Sequence, residues 1–420
     1  MIIFCVFNFL IILGLIFLDA RKSQPALALW LIILILFVMP SFFDSNIEGF
    51  SGYGWGYLYF SSEDVFWGQV YAFLVLALCL FFRLSLGGIL KNNDVFLLVS
   101  PDWKDKTKYI FWFLLALYLF VTLKSYFDLT AYGGGVGWGA RRESVGKVEQ
   151  GLSNFLMGVL SFSSYYFFAK KKYYLSLFIF VIYSGSFFIL GGTRIPLLAV
   201  VLPFIMVWIF KSNGILKALL FASFYSAASF IMDIMRLMRF KNSLAERWDV
   251  IVNYQDYIGL LGGDERTEAS LRYVYYAFIH GINHYEEFQK LKYFARSLMM
   301  FFPASIFDFK PDNFEYDMHE AVSGIHATMH PTFFGTLFAD SGAWFFLWIV
   351  YIYLFIYIVP HFLYKYSGRF YLGAFGMISL SSMMIARGAF YSSIIYIVYI
   401  LILFCIGYMT FYLHKRSRGL

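Results

Sequence analysis

The chain has 420 residues, of which 60% are hydrophobic and only 14% charged, with a formal charge of +7 and a mean hydropathy of +0.68. Soluble domains carry roughly 25% charged residues, so an ordinary water-soluble fold is excluded. The Lys and Arg excess sits in short loops on one side of successive apolar runs, which points to a membrane and away from nucleic acid.

Apolar runs of about 18 to 22 residues recur from end to end, the length of helix that crosses a hydrocarbon core of ~30 Å. Barrel strands would be about ten residues long and alternate in polarity. The fold class read from this is all-α, polytopic, with about eleven transmembrane helices in a single membrane domain over 1–420. Spans are predicted at roughly 2–18, 25–42, 67–90, 108–127, 151–169, 173–190, 195–210, 215–235, 343–362, 370–387 and 389–412. The first run has no basic n-region and no small-x-small cleavage site, and reads as a retained helix. Cys5, Cys79 and Cys405 lie inside apolar runs without paired spacing, as small packing residues would.

One set of short loops carries Arg21 and Lys22, Lys104, Lys106 and Lys108, Lys170 to Lys172, Lys211 and Lys217, Lys365 and Arg369, and the tail Lys415, Arg416 and Arg418. Loop 43–66 on the other side has Asp44, Glu48, Glu63 and Asp64 with no Lys or Arg. The alternation places the C-terminus in the cytoplasm and the N-terminus outside. The outer side then holds loops 43–66 and 128–150, the turn Gly191–Arg194, a large loop over 236–342, and the turn at Arg387. A connector of about a hundred residues is too long to be passive, and its partly apolar pieces predict short amphipathic helices on the membrane face or lining a cavity.

Arginines on that side are exceptions to the charge rule. In GGTRIP, Gly191 and Gly192 break a span, Thr193 can cap the next helix and Pro196 suits its first turn. Arg194 beside free N–H groups and a positive dipole end makes an anion site, against the alternative of an Arg snorkelling to the interface. Arg236 and Arg239 share a helix face, Arg387 stands in MMIARGAFYSS between two spans, and Arg141 with Arg142 lies in a Gly-aromatic loop. Jointly they suit a diphosphate. Any one of them could instead form a structural ion pair, for example with Asp233.

A second cluster, EYDMHEAVSGIHATMHPTFFGTLFADSG over 315–342, holds His319, His326 and His330 with Asp317 and Glu320. Pro331 can open a short helix and Gly342 can end it. His330, His326 and Glu320 are candidate general bases for a sugar hydroxyl, and interface histidines without chemistry remain the alternative. No fixed metal-ligand spacing is present, so no metal or other cofactor is expected. The loops GFSGYGWGYLYF (49–60) and AYGGGVGWGARRES (131–144) could stack on sugar faces, as interfacial aromatic belts also could at a membrane surface.

With GGTRIPLLAVVLPF, MRLMRF, SLMMFFPASIF, HPTFFGTLFADSGAW and MMIARGAF in this order over roughly 130–395, the chain resembles the O-antigen and oligosaccharide repeat-unit polymerases (Wzy-type), and is similar to the enterobacterial common antigen polymerases. The resemblance implies a GT-C-like, metal-independent glycosyltransferase of the bacterial inner membrane, active on its periplasmic face in surface polysaccharide, lipopolysaccharide or capsule synthesis. It implies an undecaprenyl-diphosphate-linked oligosaccharide as substrate, membrane lipid around it, and a chain-length regulator and a flippase as partners. Arg194 matches the family's Gly-[Gly/Ser]-[Thr/Ser]-Arg position. Arg387 matches the Arg before the last span, and Arg236 or Arg239 the basic start of the loop. His330 stands where related O-antigen ligases place a His, and some polymerases carry another residue there. An O-antigen ligase, or a flippase or transporter of the lipid-linked unit, are the alternative readings.

Overall fold

The computed structural model describes residues 1–52, 56–90, 115–124, 172–190, 244–253, 270–282, 285–286, 288–300, 309–311, 314–323, 331–367 and 369–417, with isolated positions between them. The chain is helical, with one short antiparallel hairpin, β1 (Phe50–Gly52) and β2 (Gly56–Leu58), in which Phe50 pairs with Leu58. It divides into two compact units, one of Met1–Asn93, Gly262–His361 and Ser381–Ile395, the other of Asp94–Leu261, Phe362–Leu380 and Tyr396–Leu420.

Among the described residues four helical stretches are long and apolar enough to cross a membrane: Ile2–Arg21, Leu27–Asp44, Ser62–Gly88 and Thr332–Lys365. In the first unit α1 (Ile2–Arg21) and α3 (Ser62–Ser85) lie side by side and parallel, since Phe4 meets Phe66, Asn8 meets Gln69 and Asp19 meets Arg83. The intervening α2 (Leu27–Ile33) runs back between their levels, from Trp30 at Asp19 to Ser41 at Cys5. The segment Phe345–Tyr353 is again parallel to α3, with Tyr71 against Phe345 and the Tyr353 hydroxyl donating to the Cys79 carbonyl at 2.6 Å. Two π-helical turns, Leu34–Val38 and Leu354–Ile358, each end shortly before a proline, Pro40 and Pro360. Proline lacks an N–H and collides with the carbonyl four residues back, and the wider turn relieves both.

α3 begins five residues earlier than the predicted span at 67. Ser61 accepts from the Asp64 N–H at 3.3 Å and the Asp64 carboxylate accepts from the Ser61 N–H at 2.7 Å, a reciprocal capping box. Glu63 and Asp64 thus belong to the first helical turn and not to the preceding loop. The charges read as loop are the cap, where the helix dipole favours acids.

Within the long stretch 236–342 lie α6 (Leu244–Val252), α7 (Leu271–Gly281), α8 (Lys292–Leu298), α9 (Phe314–Ser323) and α10 (Thr332–Ser341), where α4 (Leu115–Lys124) and α5 (Tyr173–Leu190) precede them in the chain. α7 and α10 are buried almost throughout and pack on each other and on α3. Gly68 makes room for this contact, since a Cβ there would stand 3.0 Å from the Tyr276 ring. α10 starts after Pro331 and stops at Gly342, whose φ of +50° turns the chain into the following helix, as the sequence punctuation predicts. The predicted spans over 370–387 and 389–412 correspond to helices Arg369–Ala386 and Phe390–Ser417. In the second unit Leu115, Tyr118, Val121, Leu156, Phe167 and Ile179 form an apolar core. Cys5 and Cys79 are buried as expected of packing residues, whereas Cys405 is exposed on the last helix. An apolar side chain costs nothing facing lipid, so hydropathy alone does not set its burial.

Candidate functional site

Two buried charge pairs lie inside the first unit. Asp19 takes Arg83 as an ion-pair partner and accepts from Trp30 Nε1 at 2.9 Å and from the Tyr357 hydroxyl at 2.6 Å, all of them buried. Asp44 and Arg272 form a two-pronged pair with both contacts at 2.8 Å. The Tyr276 hydroxyl donates to Asp44 at 3.0 Å and accepts from Gln69, whose amide oxygen in turn accepts from Asn8. The Arg272 guanidinium also lies 4.1 Å above the Tyr273 ring. Burial works to lower the Arg272 pKa, but the hydrogen bonds and charge of Asp44 outweigh it and hold the pKa above the ordinary value. These pairs lock helices together, and the four charges they hold cancel one another.

A different arrangement surrounds α8. Its first turn is capped from another helix: the Asp340 carboxylate accepts from the N–H groups of Tyr293 (2.8 Å) and Phe294 (3.1 Å) and from Trp348 Nε1 (2.7 Å). This cap fixes Tyr293, whose buried hydroxyl donates to Glu315 of α9 and accepts from the Tyr391 N–H at 3.1 Å. Burial, then the Glu315 charge, push the Tyr293 pKa well up, so it stays a neutral donor. One turn further along α8, the Arg296 side chain reaches the Pro311 carbonyl and lies 5.2 Å from the Tyr391 ring. Lys310 approaches the same ring, donating to the Tyr391 hydroxyl at 3.3 Å and to the Phe302 carbonyl at 2.8 Å. Among the described residues neither cation has a carboxylate within ion-pair reach, and the buried Arg296 Nε has no hydrogen-bond partner. Desolvation and the neighbouring Arg296 charge lower the Lys310 pKa. Two cations around one phenol ring, with an unspent guanidinium donor, can grip an anionic oxygen group.

Arg387 ends helix Arg369–Ala386 four residues ahead of Tyr391, and is half-buried. Its turn is pinned to α10: Thr336 Oγ1 donates to the Gly388 carbonyl at 3.1 Å. Gly388 has φ +98°, and a Cβ there would stand 2.4 Å from Thr336 Oγ1 and 2.6 Å from the Thr332 carbonyl. Thr332, buried and β-branched, is itself left-handed at φ +72°, with its hydroxyl accepting the Gly335 N–H at 3.3 Å. Such a conformation costs on the order of 1–3 kcal/mol and clusters at functional sites. It stands directly after Pro331 and against the Arg387 turn.

Glu320 lies exposed on α9, while Glu315 of the same helix is buried at Tyr293. The backbone of His319 is on α9 as well. Arg141, Arg194, Arg236, Arg239, His326 and His330 lie outside the described residues. The residues gathered at Tyr391 were not singled out from the sequence, although the predicted topology puts Arg296 and Lys310, like Arg387, on the side where the charge rule expects few cations. No protein-family model, curated protein or solved structure matches the chain.

Proposed function

We propose that this protein is a membrane glycosyltransferase that polymerises oligosaccharide repeat units carried on undecaprenyl diphosphate, at the periplasmic face of the bacterial inner membrane. The observation that carries the reading is the pair Arg296 and Lys310, converging on Tyr391 without a carboxylate partner among the described residues. In a chain dominated by apolar helices, unneutralised cations are costly and point to an anionic ligand that spends part of its time there. A lipid-linked diphosphate brings such a charge to a membrane surface. On this reading Arg296, Lys310 and the turn-borne Arg387, joined by Arg194, Arg236, Arg239 and Arg141, hold the leaving diphosphate and stabilise its growing charge without a divalent metal. His330, His326 or Glu320 takes the proton of the acceptor hydroxyl as it attacks the anomeric carbon. The GT-C-like architecture and a count of about eleven spans belong to the same proposal. The parallel course of the helices taken as first, third and ninth spans agrees with that count in parity.

The test is the surface glycan ladder of a deletion strain complemented with wild type, Arg296→Met, Arg296→Lys or Lys310→Met, with membrane abundance measured in parallel. Loss of one oxyanion-stabilising donor lowers kcat by about 10²–10³. Arg296→Met at normal abundance should therefore collapse the ladder to a single capping unit, with partial return in Arg296→Lys. A normal ladder in both Met variants refutes the assignment. Polymer accumulating on the lipid carrier in the deletion strain would favour the ligase reading, and unpolymerised units trapped in the cytoplasm the transporter reading.

A further inference from the structure

The start of α3 and the end of α7 build a second polar constellation that the diphosphate chemistry does not use. His280 Nδ1 is 2.9 Å from Asp64 Oδ2, and the same carboxylate oxygen accepts from the N–H and hydroxyl of Ser61, each at 2.7 Å. Asp64 is thus held by the helix cap and in turn holds the imidazole plane. The His280 side chain is 40% exposed, and its Nε2 makes no hydrogen bond among the described residues. Tyr59, 57% exposed, sits edge-on to the imidazole with ring centroids 4.7 Å apart, and its hydroxyl is likewise unengaged. Trp67 follows three residues after Asp64 on the same helical face, 53% exposed, with its indole N–H reaching Glu63 at 3.4 Å. Behind Tyr59, Phe60 is fully buried and stacks on Tyr273, so the end of the hairpin is anchored to α7.

We propose that Asp64, His280 and Tyr59 form a saccharide-binding subsite, which takes a sugar hydroxyl on His280 Nε2 and a sugar face against the aromatic edge. Three features favour a carbohydrate over a merely structural clip. A clip needs only the Nδ1 contact, yet the imidazole stays 40% exposed with its opposite nitrogen unused among the described residues. The neighbouring Tyr59 side chain is 57% exposed, and its hydroxyl makes no hydrogen bond among the described residues. Phe60, next in the chain to Tyr59, is fully buried on Tyr273 and so holds the Tyr59 backbone in place. Sugars combine hydroxyls with weakly polar C–H faces and match this mixture of one oriented imidazole and exposed rings. The inference rests on the polymerase reading for its substrate: the saccharide is part of the lipid-linked unit or growing glycan, and the subsite binds it away from the diphosphate. His280 is a positioning residue here, with no bond made or broken at it.

The experiment measures binding of a phosphate-free oligosaccharide, released by mild acid from the producing strain's own surface glycan, to the full-length protein in nanodiscs. Saturation-transfer NMR and titration of the His280 ring resonances are the readouts. His280→Asn is the decisive variant, because an asparagine amide can replace Nδ1 toward Asp64 but has nothing at the Nε2 position. At least tenfold weaker binding with unchanged thermal unfolding is expected for His280→Asn and for Tyr59→Leu. Arg296→Met should bind this probe as wild type does. Wild-type affinity in His280→Asn overturns the proposal, as does absence of binding to the wild-type protein. Wild-type glycan binding in Tyr59→Leu and Trp67→Leu, with lowered thermal stability in nanodiscs, would make these rings an interfacial belt and overturn it too. Glycan binding lost in His280→Asn, from a protein that makes no polymer, leaves the subsite standing and removes the polymerase reading. Polymerisation by a protein whose glycan binding ignores His280 does the reverse.

Discussion

Replacing Asp44 by Asn leaves the Arg272 guanidinium buried, 7% exposed, without its carboxylate and with the Tyr273 ring and hydroxyl beside it. Breaking one side of a buried ion pair costs about 3–5 kcal/mol, because the surviving charge keeps its desolvation penalty without its partner. Arg272→Met should cost a similar amount, as Asp44 would then keep only the Tyr276 hydroxyl, at 3.0 Å. The double variant Asp44→Leu/Arg272→Met removes both charges, and its residual cost is the Tyr276 hydroxyl deprived of its acceptor, about 1–3 kcal/mol. Adding Tyr276→Phe should recover part of even that, although Gln69 then loses the oxygen it donates to at 3.0 Å. The assay is equilibrium unfolding in mixed micelles, with all variants in one double-mutant cycle. A double variant more stable than either single is expected. Singles that cost under about 1 kcal/mol and simply add would show that water reaches the pair, and the account of α7 as a charge-locked interior helix would fall.

Gly388→Ala should destabilise by about 2 kcal/mol or more and disturb function beyond its effect on abundance, since φ +98° disfavours any Cβ and the Thr332 carbonyl 2.6 Å away cannot swing aside; thermal unfolding with the glycan ladder checks both. Asp340→Asn keeps the shape but loses the charge that three donors share, so α8 should loosen by about 1–3 kcal/mol and amide exchange at Tyr293 and Phe294 should accelerate before global unfolding. Lys310 has a folded-state pKa below its unfolded value, from burial and then Arg296, so its charged form penalises the fold at neutral pH. That penalty is complete below the folded pKa and is relieved as pH rises from there toward the ordinary lysine value of about 10.4, so alkaline stability should rise relative to Lys310→Met, as parallel unfolding curves at increasing pH would show.

The membrane character was legible because a hydrocarbon core demands length and apolarity and little else, and four described helices, Ile2–Arg21 and Ser62–Gly88 among them, meet both. Local punctuation was legible too: Pro331 and Gly342 bracket α10 because a proline and a left-handed glycine act over one or two residues. The same kind of local chemistry misled at Glu63 and Asp64, where acidic residues that signal a loop also signal a helix cap, and only the Ser61–Asp64 exchange of hydrogen bonds decides between them. What lies beyond local chemistry is the partner. Asp44 finds Arg272 across 228 positions, and Lys310 finds Tyr391 across 81.

Partnership is what sorts the arginines. The charge rule, applied to the predicted topology, marks every basic residue of 236–342 as unusual, and so treats Arg272 and Arg296 alike. The structure separates them physically. Arg272 is held by Asp44 on two nitrogens and Arg83 by Asp19, so their charge is cancelled before a ligand could meet it. Arg296 has a carbonyl and an aromatic ring, and neither carries a full negative charge. An anion entering beside Tyr391 would gain attraction that no carboxylate among the described residues has already taken up, at a place where partial burial weakens screening by water. The carboxylates that pack nearby are committed elsewhere, Glu315 to Tyr293 and Asp340 to the cap of α8. Both commitments hold the cations in position without neutralising them. A substitution that freed Glu315, such as Tyr293→Phe, should therefore weaken the site without touching Arg296 or Lys310, because the released carboxylate could compete with the anion for the two cations.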